Sequence, residues 1–213
     1  TVNNAFFNTT SNQNVFLTNL NSTDTISFIT TWKTDNLGTS NNTSITIPTY
    51  SGENYNYDVD WDNDGTFDEL NVTGSVTHDY GVAGTYEVAI RGTFPAIYFG
   101  SGGDRSKITS IKAWGDIEWG SMKRAFNGCD NLSYSATDAP DLSDVTDMNS
   151  MFQLASSFNG NLNSWNVSNV TNMIGMFAHA SSFNQPLNSW DVSNVTNMTA
   201  MFSDATSFNQ PLD

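Results

Sequence analysis

The sharpest chemical pattern in the chain is Asp60-x-Asp62-x-Asp64-Gly65-x-x-Asp68. Carboxylates at alternate positions, a glycine where a loop must turn, and a further carboxylate at position nine form an arrangement that takes up Ca²⁺. Thr66, at position seven, would add its backbone carbonyl, and such an ion would be structural. Position twelve is Asn71 rather than the bidentate glutamate of a helix–loop–helix site. The competing reading is a bare acidic turn, in which Asn63-Asp64-Gly65 closes a hairpin and the aspartates face water. Like charges this close repel one another unless a cation relieves them. Both readings stand on the sequence.

The remaining reactive residues give less. His78 and His179 have no third group assigned to them, and Cys129, the single cysteine, cannot form an internal disulfide. A small buried apolar role suits it. Met148, Met151, Met173, Met176, Met198 and Met201 form a soft-ligand row, but their spacing fits core packing better. The sequence carries no nucleophile–base pair, phosphate loop or paired-cysteine zinc site, and nothing selects two carboxylates for glycoside cleavage. The expectation is a protein that is not an enzyme.

The elements that must position these residues fall into two textures. From residue 145 on, the chain repeats at a spacing of 25: Val145-Thr146-Asp147-Met148 returns as Val170-Thr171-Asn172-Met173 and as Val195-Thr196-Asn197-Met198. Phe158, Phe183 and Phe208 keep the step, as do Trp165 and Trp190. Periods of this size signal stacked units that bury their apolar faces against one another. Leu187, Trp190 and Val192 read as a short strand, and Met198, Met201, Phe202 and Ala205, at i, i+3, i+4 and i+7, as one face of a short helix. The pattern therefore predicts an α/β solenoid. A worn copy holding Ile111, Trp114, Met122 and Phe126 extends it back to about residue 108. The last unit breaks off at Asp213, so further repeats are expected in a longer protein. Outward positions Asn166 and Ser168 answer to Asp191 and Ser193 one unit later, and this polar ladder is either plain solvated surface or a shallow face for a protein or glycan partner.

Phe183-Asn184-Gln185-Pro186-Leu187, followed by Trp190-Asp191-Val192-Ser193-Asn194-Val195-Thr196-Asn197-Met198, resembles the 25-residue repeat of BspA-like bacterial surface proteins. Those repeats are also found in Mycoplasma-type lipoproteins and are leucine-rich-repeat-like. The resemblance covers roughly residues 108–213 and implies a surface or secreted protein engaged in adhesion or protein–protein contact.

Ahead of the repeats the texture is β-rich. Stretches 25–32, 44–48, 55–61, 75–80 and 85–91 are apolar or β-branched and bounded by Gly, Asn or Asp, which predicts an antiparallel sandwich. Tyr55, Tyr57, Val59 and Trp61 alternate with Asn56, Asp58 and Asp60, predicting an apolar inner and an acidic outer face. Val59-Asp60-Trp61-Asp62-Asn63-Asp64-Gly65, His78-Asp79-Tyr80 and Gly84-Thr85-Tyr86-Glu87-Val88 are similar to motifs of polycystic-kidney-disease (PKD) type domains, although the tryptophan is shifted and the turn is longer. The implied role is a spacer or presentation module. The expected organisation is a tail or linker over 1–24, a PKD-like sandwich over 25–99 and the repeats over 100–213.

Formal charge is −15 over 213 residues with only 7 Lys and Arg, none of them after Arg124. Such a surface repels nucleic acid, which excludes it as a primary partner. No run of about 18 apolar residues is present to span a membrane. The expected setting is extracellular or cell-surface, with a protein, a glycan or further copies of the chain as partner. The alternatives are a structural subunit of an extracellular fibre or surface layer, and a carbohydrate-binding accessory of a secreted enzyme.

Overall fold

The computed structural model describes residues 26–212; the tail or linker expected over 1–24 lies outside the described residues. The described chain is all-β. Its strands are β1 (Phe28–Lys33), β2 (Ser44–Ile47), β3 (Asn56–Asp60), β4 (Glu69–Val72), β5 (Val76–Asp79), β6 (Thr85–Thr93), β7 (Ile108–Ala113) and β8 (Ser133–Tyr134).

Period-two alternation drives the strands of the first half. Phe28, Thr30 and Trp32 of β1 are buried while Ile29, Thr31 and Lys33 are half-exposed. In β3, Tyr57 and Val59 point into the core and Asp58 points away, where Arg91 pairs with it at 3.0 Å. Asp60 departs from the expected acidic outer face, because it is only 1 % exposed. β2 and β5 form a separate two-stranded sheet whose Ile45 and Ile47 enter the same core as Trp32 and Tyr57.

The larger sheet has six strands in the order β4-β3-β6-β1-β7-β8. β1 lies at its centre, antiparallel to β6 on one side and to β7 on the other. β7 follows Phe94–Phe99 in sequence, so one sheet passes through the point where the sequence changes texture. Phe94, Ala96, Ile97 and Phe99 are buried in that crossing, and Phe99, Gly100 and Ser101 donate backbone hydrogen bonds to the carbonyls of Ala125, Arg124 and Asn127.

The α/β solenoid is not what forms. There is no helix among the described residues, and the sheets end at Tyr134 rather than winding on through the repeats. Beyond β8 the parallel pairing shrinks to isolated bridges, Asp147 with Asn172 and Asn172 with Asn197. The physical reason lies in recurring left-handed backbone. Ser150, Gly175 and Ala200 have φ of 54°, 58° and 56°, and Leu154, His179 and Asp204 follow at 63°, 59° and 54°. No right-handed helix passes through two such residues four positions apart.

The i, i+3, i+4, i+7 spacing is satisfied another way. Met176, Ala178 and Ala180 donate to carbonyls three residues back, those of Met173, Gly175 and Phe177. The intervening Met173, Gly175, Phe177 and His179 donate forward, to Asn197, Thr199, Met201 and Ser203. Met148, Ser150, Phe152 and Leu154 do the same toward Asn172, Ile174, Met176 and Ala178. Each turn-rich unit thus splits its donors between itself and the next unit. The buried face that a helix would have made is kept, and Met148, Met151, Met173 and Met176 are fully buried.

Rings fill that face. Phe126, Phe152, Phe177 and Phe202 stack in sequence at 5.7, 5.8 and 5.6 Å with interplanar angles of 9°, 8° and 8°. Phe158, Phe183 and Phe208 make a second column beside it. The first column continues through Phe99 to Trp32 of β1, at 6.4 and 5.8 Å. One apolar core therefore runs from Phe28 to Met201.

Candidate functional site

The acidic loop leaves the end of β3. Asp60 is buried and its carboxylate organises the turn, accepting from the backbone N–H of Asp62 and Asp64 at 3.3 Å each and of Gly65 at 2.8 Å. Asp68 returns to accept from Trp61 N at 2.9 Å, and Asn63 takes a left-handed φ of 56°. Asp60, Asp62 and Asp68 bring carboxylate oxygens within 4.8 Å of one another. Asp64 stands outside that cluster, and its Oδ1 accepts from Thr66 N at 2.7 Å. Desolvation, then the charges of Asp64, Asp60 and Asp68, hold the Asp62 carboxyl above its ordinary value. A divalent cation bound by these carboxylates would oppose that shift. The donor set, carboxylate oxygen, suits a hard cation such as Ca²⁺.

The polar ladder sits on the repeats. Asn166 and Asp191 are exposed, and each spends one side-chain oxygen on a turn: Asn166 Oδ1 accepts from Ser168 N at 3.2 Å and Asp191 Oδ1 from Ser193 N at 3.0 Å. Hydrogen bonds from the Ser193 side chain and backbone hold the Asp191 carboxyl below its usual range. Asn166 and Asp191 line a shallow depression of about 580 Å³ with Asn161, Asn163, Ser164 and Ser189, over a floor of Trp165 and Val167. Ser168 and Ser193 shape the turns and stand outside that lining.

Asn161, Asn163 and Ser189 were not singled out in the sequence, yet a signal for this side-chain ladder was there. An asparagine follows each phenylalanine of the second column, Phe158, Phe183 and Phe208, and these form a side-chain ladder: Asn159 Oδ1 accepts from Asn184 N and Asn184 Oδ1 from Asn209 N, each at 2.9 Å. Asn163 Oδ1 likewise reaches Ser189 N in the next unit at 3.0 Å.

The other candidates separate clearly. His78 stacks on Trp61 at 4.8 Å and meets Tyr80 edge-on at 4.5 Å. His179 Nδ1 lies 3.5 Å from Asp204 Oδ2, with both side chains exposed and no third group beside them in that contact. Cys129 is fully buried, and burial, then Asp130, pushes its thiol well above the ordinary value, which removes it as a nucleophile. No helix among the described residues is long and apolar enough to cross a membrane.

Residues 120–213 match the family model described as "Mycoplasma protein of unknown function, DUF285". That family is associated with BspA-like surface proteins. The match covers under half of the chain, lies wholly in the repeats and lends nothing to a leucine-rich-repeat or PKD-type assignment. No curated protein and no solved structure matches the chain.

Proposed function

We propose that the protein is a non-enzymatic extracellular or cell-surface binding protein, serving adhesion or protein–protein contact through the polar face of its repeats. The observation that carries this reading is the open depression at Asn166 and Asp191, set among side chains that recur in register from unit to unit. A body packed this regularly presents a fixed face, and a fixed face loses little entropy on binding. The acidic charge and the lack of Lys or Arg after Arg124 turn it away from nucleic acid. In the test, beads coated with the full chain are presented to surfaces bearing extracellular-matrix proteins or neutral glycans. Adhesion weakened by Asn166→Ala with Asp191→Ala supports the reading. Beads that hold to nothing would overturn it.

A second reading, association between copies, has its own observation. Val192 and Met198 are each 40 % exposed and Leu212 is 64 % exposed, beside a cavity of about 180 Å³ lined by Trp190, Met201 and Phe202. Light scattering that shows concentration-dependent growth, abolished by Met198→Asp, would place self-association first. The loop at Asp60, Asp62 and Asp68 is proposed in addition as a structural Ca²⁺ site.

A further inference from the structure

Resting on the binding-protein reading above, we propose that the depression over Asn161–Val167 and Ser189–Asp191 is a site for a neutral, N-acetylated glycan. The asparagines fix its chemistry. Asn161 Oδ1 accepts from Asn163 N at 3.0 Å, Asn163 Oδ1 from Ser189 N at 3.0 Å and Asn166 Oδ1 from Ser168 N at 3.2 Å. Each amide oxygen is thus committed to a backbone N–H, which sets which way the amide faces. The Nδ2 groups of all three have no hydrogen-bond partner among the described residues, and neither do the hydroxyls of Ser164 and Ser189. Against these donors stands the exposed carboxylate of Asp191, whose Oδ1 accepts from Ser193 N.

The depression therefore offers an excess of neutral donors and one carboxylate. An anionic ligand would meet Asp191 and no compensating Lys or Arg, because none follows Arg124. A peptide anchor needs an apolar pocket to fill, and here the apolar floor is sealed: Trp165 is 2 % and Val167 1 % exposed. The ligand that fits is uncharged and rich in oxygen. An acetamido carbonyl accepts from the asparagine amides, and a sugar hydroxyl donates to Asp191. The volume, about 580 Å³, lies within the usual range of small-ligand sites, roughly 300–1,000 Å³.

The experiment titrates the full chain with N,N′-diacetylchitobiose and with cellobiose, which lacks the acetamido groups, following heat release and tryptophan fluorescence. The doubly substituted Asn163→Asp, Asn166→Asp chain keeps an oxygen for each turn and loses two of the three outward amide donors. Saturable binding of diacetylchitobiose is expected, with cellobiose and the variant each weaker by about tenfold or more, the scale of a lost hydrogen bond. Ser164→Trp, which fills the depression and removes no side-chain oxygen that a turn uses, should block binding even if the double variant melts lower. Binding unchanged in both variants overturns the proposal, and so does failure of both sugars or an equal affinity for an uncharged peptide of similar size. Beads that grip protein-coated surfaces but ignore the sugar would sink the glycan site while leaving the binding-protein reading intact.

Discussion

The two halves of the molecule are held by different kinds of bond economy. The first half depends on contacts that occur once. Lys107 is 1 % exposed, and its ammonium donates to the carbonyls of Ser40, Asn41 and Ser44 and to Ser40 Oγ. Asp104, equally buried, accepts from the N–H groups of Thr39, Ser40 and Thr46. Together they tie the loop after β1 to the turn before β7. In the repeats, by contrast, the same bond recurs one unit later with the same partner type, as when Asn169 Nδ2 donates to Ser143 O and Asn194 Nδ2 to Ser168 O, both at 2.7 Å. A one-off contact is irreplaceable locally. A recurring one spreads its role over neighbours.

The largest effect expected is Phe177→Ala. It opens a cavity in the middle of the ring column and should cost about 3–5 kcal/mol in denaturant unfolding. Phe202→Ala removes a partly exposed ring from the same column and should cost clearly less. Equal losses at both positions would break the idea that the stack shares its load by depth.

Lys107→Met comes next, at about 3 kcal/mol, because it strands buried carbonyls that no neighbour can satisfy. Removing one ladder bond with Asn194→Ala should cost about 0.5–1.5 kcal/mol at an exposed site. If these two variants melt alike, the contrast between the halves fails.

Ala200→Gly relieves a left-handed alanine and should stabilise the chain by about 0.5–1 kcal/mol. Gly175→Ala, at the same place one unit earlier, should destabilise it by a similar amount.

Acid acts with opposite sign at two carboxylates of the first half. Burial pushes Asp104 up, but hydrogen bonds from Ser40, the charge of Lys107 and the Thr46 N–H outweigh it and leave the carboxyl below its ordinary value. Its contribution is present above the unfolded-state pKa and is lost as pH falls through the lower folded value. Asp62 runs the other way: with its pKa raised, protonation relieves the loop as pH falls. Millimolar Ca²⁺ should raise the melting temperature at neutral pH, less so as pH drops toward 4, and not at all in Asp62→Asn. A melting temperature indifferent to Ca²⁺ at neutral pH removes the metal site.

The sequence made much of this legible. The β1, β2, β3, β5 and β6 strands lie within or across the β-rich stretches, because alternation and flanking turn residues report half-buried strands directly. β4 was missed; Glu69–Val72 alternates poorly and keeps Leu70 exposed. The helical spacing of the repeats misled because periodicity records which side chains are buried, not how the backbone carries them there. Left-handed Ser150, Leu154 and Ala200 leave no residue-type signature, since each costs a non-glycine side chain strain that only its surroundings offset. In the acidic loop, spacing found Asp60, Asp62 and Asp68 but not the diversion of Asp64 into its own turn. The glycan-sized depression was half visible, because Asn166 and Asp191 repeat while Asn161, facing Pro186 one unit on, does not.

The ring column that begins at Trp32 and passes through Phe99 to Phe202 has a mechanical consequence. With β1 hydrogen-bonded on both sides and aromatic packing carried across the crossing segment, there is no hinge along that line. The direction in which the sheet is anchored thus dictates the direction in which the asparagine-lined depression looks. A tether at one end aims the other like a rigid lever.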